Sequence, residues 1–201
     1  MKIWRWGWLV GVLVGCAALP PQSVVPIPSR ATRWEIRQAT LLPRAHFALT
    51  GRVAMRRGKE GADAKLQWQQ SGARFDLRLG GPLGQGTIRL TGDDQSATLL
   101  TEDRVYTAPD LDALMTAHLK WSLPVAGVRY WILGLPVPGR AFSALTLDDQ
   151  GRLSGLIQDG WRISVLEYRI VGGVDLPSKL VILGGDAKLR LVISDWQNVP
   201  Q

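Results

Sequence analysis

A chain of 201 residues, 46% hydrophobic and 20% charged, has the composition of a globular protein, and its length suits one domain with one core. Its 22 glycines and 12 prolines argue for many turns and against an all-helical architecture. The formal charge of +7 raises nucleic acid as a partner, but the basic residues are scattered and lack an aromatic-basic RNA motif or a recognition-helix pattern, so that class is set aside. A mild positive field facing anionic lipid or an acidic protein partner is the better use of the excess.

At the start of the chain, Lys2 and Arg5 supply a positive n-region and Trp6 to Val14 an apolar stretch too short to span a bilayer. Leu13-Val14-Gly15-Cys16 then places small residues just before a cysteine. This resembles the lipobox of bacterial lipoproteins, which implies that signal peptide 1–15 is removed and that Cys16 receives diacylglycerol and becomes an acylated amino terminus. Cys16 is the only cysteine, so it has no disulfide partner within the chain. At about 0.8 kcal/mol per buried methylene, several acyl chains amount to stable attachment. Ala17 stands where enterobacterial lipoproteins kept at the inner membrane commonly carry aspartate, and so implies passage to the outer membrane. Residues 16–30, with Pro20, Pro21, Pro26 and Pro28, read as a tether, and 31–201 as the folded domain.

Within that domain Trp34, Gln38 and Leu41 recur at helical spacing over Thr32 to Leu41, with Pro43 closing the segment. The period then changes to two. Phe47, Leu49, Val53 and Met55 alternate with polar or small residues that include Arg52; the pattern returns at Ala64, Leu66 and Trp68, at Phe75, Leu77 and Leu79, and at Ile88 and Leu90. Ala97 to Leu100 follows, with turns at Gly92 to Gln95 and Glu102-Asp103. Asp110 caps a helix that places Leu111, Leu114, Met115 and His118 on one face. Ser122-Leu123-Pro124 opens another, in which Val128, Trp131 and Ile132 share a face and Gly134 is the stop. Strand periodicity resumes at Leu145 and Leu147, crosses Asp149-Gln150-Gly151, and continues through Trp161, Ile163 and Val165. Lys179 to Leu183 and Lys188 to Ile193 form a closing hairpin about Gly184-Gly185-Asp186.

About ten strands and three short helices result, most simply connected as a meander. A single antiparallel sheet of that length must bury its apolar face, and short helices cover only part of it, so the sheet is expected to curl around them. Its concave side would then hold a cavity suited to an apolar ligand.

Fragments spread from Ala45 to Trp196 resemble the LolB family, outer-membrane lipoproteins that receive other lipoproteins from the periplasmic carrier LolA. They are Phe47 to Ala54, Leu66 to Gln70, Gly81-Pro82-Leu83-Gly84, Tyr130 to Pro136, Gln158 to Trp161 and Ile193 to Trp196, preceded by the lipobox. The resemblance implies a mainly β fold: an incomplete, half-closed antiparallel barrel of about eleven strands with helices against its concave apolar face. It also implies a function. The protein would accept lipoproteins from a LolA-like carrier, hold their acyl chains in an apolar cavity, and insert them into the outer membrane to which acylated Cys16 anchors it, facing the periplasm.

By the same resemblance Pro82, Leu83 and Gly84 form a loop whose leucine projects and helps insertion, and Trp68, Trp131 and Trp161 line the acyl-chain cavity. Trp196 reads as core and Arg52 as a solvated residue. His46 and His118 are far apart in the sequence and pair with no cysteine in the folded domain, so neither a metal site nor Cys-His catalysis is supported, and no cofactor is expected. A hydrolase would need a Gly-x-Ser-x-Gly elbow or paired acids at strand ends; Asp93-Asp94 and Asp148-Asp149 stand in turn contexts instead, and no enzyme is expected. The alternative from another class is a scaffold lipoprotein of an envelope assembly, which predicts no lipid cavity. A free shuttle is disfavoured by the anchor at Cys16. No segment signals oligomerisation, and a monomer is expected.

Overall fold

The computed structural model of the chain describes residues 28–43, 46–81, 86–119 and 125–197. Helix α1 (Arg30–Leu41) begins at Ser29, whose hydroxyl accepts the Thr32 backbone N–H at 3.1 Å, one of the donors that a helix start leaves unpaired. Eleven strands follow: β1 (His46–Arg57), β2 (Glu60–Ser71), β3 (Arg74–Gly80), β4 (Ile88–Gly92), β5 (Ala97–Leu100), β6 (Val105–Ala108), β7 (Phe142–Leu147), β8 (Leu153–Gln158), β9 (Trp161–Val171), β10 (Val174–Gly184) and β11 (Ala187–Gln197). Between β6 and β7 lie α2 (Leu111–Leu114), a π-helical turn (Met115–Leu119) and α3 (Val125–Trp131).

All eleven strands join one antiparallel sheet in the order β6-β5-β4-β3-β2-β1-β11-β10-β9-β8-β7. Two meanders are thus stitched together by the pairing of β1 with β11, and the short strands β6 and β7 remain unjoined as the edges of an incomplete barrel. At the seam the register slips between Thr50 and Gly51, and a Cβ on Gly51 would fall on the carbonyl oxygen of Val192, so glycine lets the two strands approach. The expected curled meander is what forms, and alternation is its cause. Phe47, Leu49 and Val53 on β1, Leu66 and Trp68 on β2, Leu77 and Leu79 on β3, and Leu189, Leu191 and Ile193 on β11 are all buried on the concave side.

Four details depart from the periodicity reading. β2 begins at Glu60 instead of Ala64, because pairing with β1 carries it past the apolar alternation. β6 has only four residues, two of them exposed, and so no apolar pattern to reveal it. β10 runs through Pro177, which lacks an N–H; the register shifts between Pro177 and Lys179, a bulge that admits a proline between two partners. The helix after Asp110 opens into a π turn after one α turn, and that wider turn rotates His118 off the buried face to an exposed position, stacked on Tyr106 at 3.9 Å. Asp110 caps α2 as expected, accepting the Ala113 N–H at 2.7 Å, and Gly134, at φ +71°, follows α3. The expected opening at Ser122-Leu123-Pro124 lies outside the described residues.

Candidate functional site

The α2 to α3 segment plugs the concave face because Leu111, Leu114, Met115, Val128, Trp131 and Ile132 have no other apolar surface on which to lie. Between plug and sheet is a cavity of about 60 Å³. Its walls come from β1 (Val53, Met55), β2 (Leu66, Trp68), β3 (Leu77, Leu79), β4 (Leu90) and β11 (Leu189, Leu191), and Met115 and Val128 of the plug close it. Every lining side chain is apolar but for the indole N–H of Trp68, and that is satisfied by Gln70 Oε1 at 3.0 Å. Gln70 in turn donates to the Gly72 carbonyl at 2.8 Å. Phe47 packs edge-on against both Trp68 and Trp196, with ring centroids 5.8 and 5.5 Å apart, which fixes the angle at which Trp68 faces the cavity.

The three tryptophans picked out in the sequence do not meet. Trp68 lines the cavity. Trp131 is 0% exposed at the end of α3 and donates its indole N–H to Gln158 Oε1 at 3.0 Å. Trp161 lies across Gly184, where a Cβ would enter its ring, and borders a separate hollow of about 310 Å³ shared with Arg57, Asp159 and Asp186. Cys16 and the Pro82, Leu83 and Gly84 loop lie outside the described residues.

Gln158, 1% exposed on β8 and outside the expected site residues, pins the chain that follows the plug. Besides Trp131, its Oε1 accepts the Val137 N–H at 2.8 Å, while its amide donates to the carbonyls of Val137 and Arg140 at 3.2 and 3.1 Å. The available signal was parity: Gln158 and Gln70 each occupy apolar-face positions, in step with Leu156 and with Trp68.

Helix α1 docks on the same half of the barrel. Arg33 donates to the carbonyls of Gln150 and Asp149 at 3.2 and 2.6 Å, and Arg37 to that of Leu133 at 3.2 Å. The guanidinium groups of Arg37 and Arg152 both lie over the Tyr168 ring, at 5.2 and 4.5 Å from its centroid. Burial pushes the Tyr168 phenol up, out of the range in which it would ionise, and its hydroxyl donates to Leu153 O at 2.7 Å. Burial also lowers the pKa of the Arg37 guanidinium. Arg152 bridges Asp148 at 2.7 Å and Asp175 at 3.1 Å. Burial works against ionisation of Asp148, but the Arg152 and Gln150 backbone N–H groups and the Arg152 guanidinium outweigh it and hold that carboxyl below its usual range.

Among the described residues no group of three or more His, Cys, Asp or Glu is placed to hold a metal, and no helix is long and apolar enough to cross a membrane. His46 meets Ser71 at 3.1 Å, and His118 stacks on Tyr106 of edge strand β6. What the described residues assemble is an apolar refuge.

An open antiparallel barrel whose apolar concave face is closed by a helical plug defines a class of protein with an internal apolar site. The architecture is shared with a LolA superfamily protein from Nitrosomonas europaea (TM-score 0.55, 9% identity, 87% of this chain and 96% of that one) and with a DUF1329 family protein from Desulfovibrio piger (TM-score 0.54, 6% identity, 87% and 95%). The family model for outer membrane lipoprotein LolB matches residues 45–196. Proteins named outer-membrane lipoprotein LolB from Stutzerimonas stutzeri and Nitrosococcus oceani are 36% and 37% identical over 187 residues, covering 92% of this chain in both cases and 90% and 92% of the relatives. The chain belongs to the LolB family of outer-membrane lipoproteins, and its place is the outer membrane of a Gram-negative bacterium.

Proposed function

We propose that the protein accepts lipoproteins from a LolA-like periplasmic carrier, lodges their acyl chains between the concave sheet and the helical plug, and delivers them to the outer membrane. The observation that carries this reading is the wholly apolar lining contributed jointly by five strands and the plug. Acyl chains exposed to water cost about 0.8 kcal/mol per methylene, so a receiver must offer such a lining, and transfer runs toward the site that binds more tightly. Acylated Cys16 holds the receiver at its destination.

The cavity of about 60 Å³ is small beside the ~150 Å³ apolar cavity that just accepts a benzene. Entry of an acyl chain therefore requires the plug to move off the sheet. Met55 and Met115 both line this gap, and methionine's unbranched, polarisable side chain re-packs around a changing occupant at little cost. Trp68 forms part of the wall, Trp131 the base of the plug and Trp161 the start of β9. Pro82, Leu83 and Gly84 supply the loop that enters the bilayer during release.

The test is a transfer assay in which carrier loaded with labelled lipoprotein is mixed with the mature protein. Label moving onto this protein is the expected result; label staying on a demonstrably active carrier would sink the reading. Leu83→Glu is expected to leave acceptance intact and to impair release into membranes, since a charge resists the hydrocarbon. Equal release by variant and parent would remove the insertion role.

A further inference from the structure

The convex face of the sheet carries cations that the fold does not use. Arg52 on β1 stands directly opposite Lys65 on β2, and Arg190 lies one row further along, opposite Ala54. Lys188 continues the line on β11, and Arg162 on β9 lies across Leu183 from it. All five are exposed, and none makes an ion pair among the described residues. The acids on this side are engaged: Asp63 with Arg56 at 3.1 Å, Glu167 with Lys179 at 2.8 Å, Asp76 with Arg89 at 2.6 Å, while Asp195 accepts from Gln197 at 2.8 Å. Like charges directly opposite each other on a sheet destabilise it, and Asp63, the acid beside this pair on the same face, is bonded to Arg56, so the Arg52 and Lys65 pair is unfavourable for folding alone.

Arg52, Lys65 and Arg190 line a groove of about 430 Å³ together with the small or apolar Ala54 and Val192, the latter 40% exposed, and with one acid, Asp63, whose carboxylate is taken up by Arg56. We propose that this face is a docking surface for anionic phospholipid headgroups. A phosphate joined to glycerol carbons matches a cationic rim over an apolar floor, and guanidinium and ammonium groups together supply donors for its oxygens. The stripe spans five adjacent strands, about 19 Å at the inter-strand spacing, a breadth suited to several headgroups at once. An acidic protein is the other partner of matching charge. The lipid is favoured because a protein of the outer membrane has phospholipid beside it at all times, at an effective concentration that no dissolved partner matches. Docking would lay the barrel on its side against the bilayer, with the concave face turned away from the surface. The proposal rests on anchoring at Cys16, and not on cargo transfer.

The mature lipidated protein can be placed in nanodiscs of phosphatidylethanolamine alone, or with about a quarter phosphatidylglycerol, and a single thiol introduced as Val192→Cys. Cys16 is the chain's only cysteine and its sulfur carries the lipid, so a maleimide reports on the new position alone. Labelling is expected to be at least about fivefold slower in the anionic discs, with the difference abolished at about 1 M salt, where the screening length falls to about 3 Å, and in a Lys65→Ala and Arg190→Ala double variant. A second thiol at Val105→Cys, on edge strand β6, is expected to label equally in both discs. Equal labelling of Val192→Cys in the two compositions overturns the proposal. So does equal protection at both positions, or protection that appears only when an acidic protein is added. Cargo acceptance, measured separately, would survive any of these failures.

Discussion

The two halves of the barrel repeat one meander but are held against their contents differently. On the β1 to β4 side the plug meets Met55, Leu66, Leu77, Leu79 and Leu90 through dispersion and burial, with the Arg129 to Asp94 ion pair at 3.4 Å at its margin, and a gap remains. On the β7 to β10 side Trp131, Ile132 and Leu135 fill the interior completely, and directional bonds from Gln158, Arg37 and Arg33 tie the chain to the sheet. Non-directional contacts slide and re-form at small cost, whereas a buried amide that loses its partners costs about 1–3 kcal/mol per group. The plug should therefore swing from its Gln158 end and part from the sheet on the Trp68 side.

Trp131→Ala tests the pinned half most severely, with an expected loss of about 4 kcal/mol in a denaturant melt, from the cavity it leaves and the stranded Gln158. Gln158→Ala is expected to cost about 3 kcal/mol, because the Trp131 indole, the Val137 N–H and two carbonyls lose their partner together. A loss below about 1 kcal/mol in either variant would show that the two halves are held alike. On the loose half, Val128→Leu should fill the gap, shift stability by under about 1.5 kcal/mol, and lower acyl-chain binding more than stability; unchanged binding would place the chains elsewhere.

The smallest effect expected is in acid. Asp148 and Asp76 are both held below the ordinary carboxylate range, the latter chiefly by its hydrogen bond from Arg89. A depressed folded-state value means that the stability these groups lend is complete above the unfolded value of about 3.9 and is lost as pH falls below it. The denaturation midpoint should be level between pH 7 and 5 and drop below about pH 4, with Asp148→Asn making that drop shallower. An unaltered acid limb in that variant would remove Asp148 from the account.

The comparison also separates what was legible in the chain from what was not. The strands that wall the loose half alternate cleanly, so the register of Phe47, Leu49 and Val53 against Leu66 and Trp68 could be read by counting in twos. The plug was half legible: its buried residues and both its end signals stood out, but the π turn did not, since no local preference distinguishes a five-residue closure from a four-residue one. The pinned half was the least legible. Gln158 joins residues about twenty positions apart, and Arg37, Tyr168, Arg152, Asp148 and Asp175 assemble from four separate segments, a set that no spacing rule brings together.

Taken alone, the sequence determined the mainly β class, the meander, the face each strand turns inward and the order of the helices, because each follows from a period or a cap spanning a few residues. It also carried the family resemblance that the matching relatives establish. Only the tertiary structure decided that β1 and β11 form the seam, that the three tryptophans part company, that plug and sheet leave a cavity of about 60 Å³, and that five cations without an ion pair among the described residues share the convex face. Those features depend on which distant strands become neighbours, and that is settled by burying the whole apolar face at once.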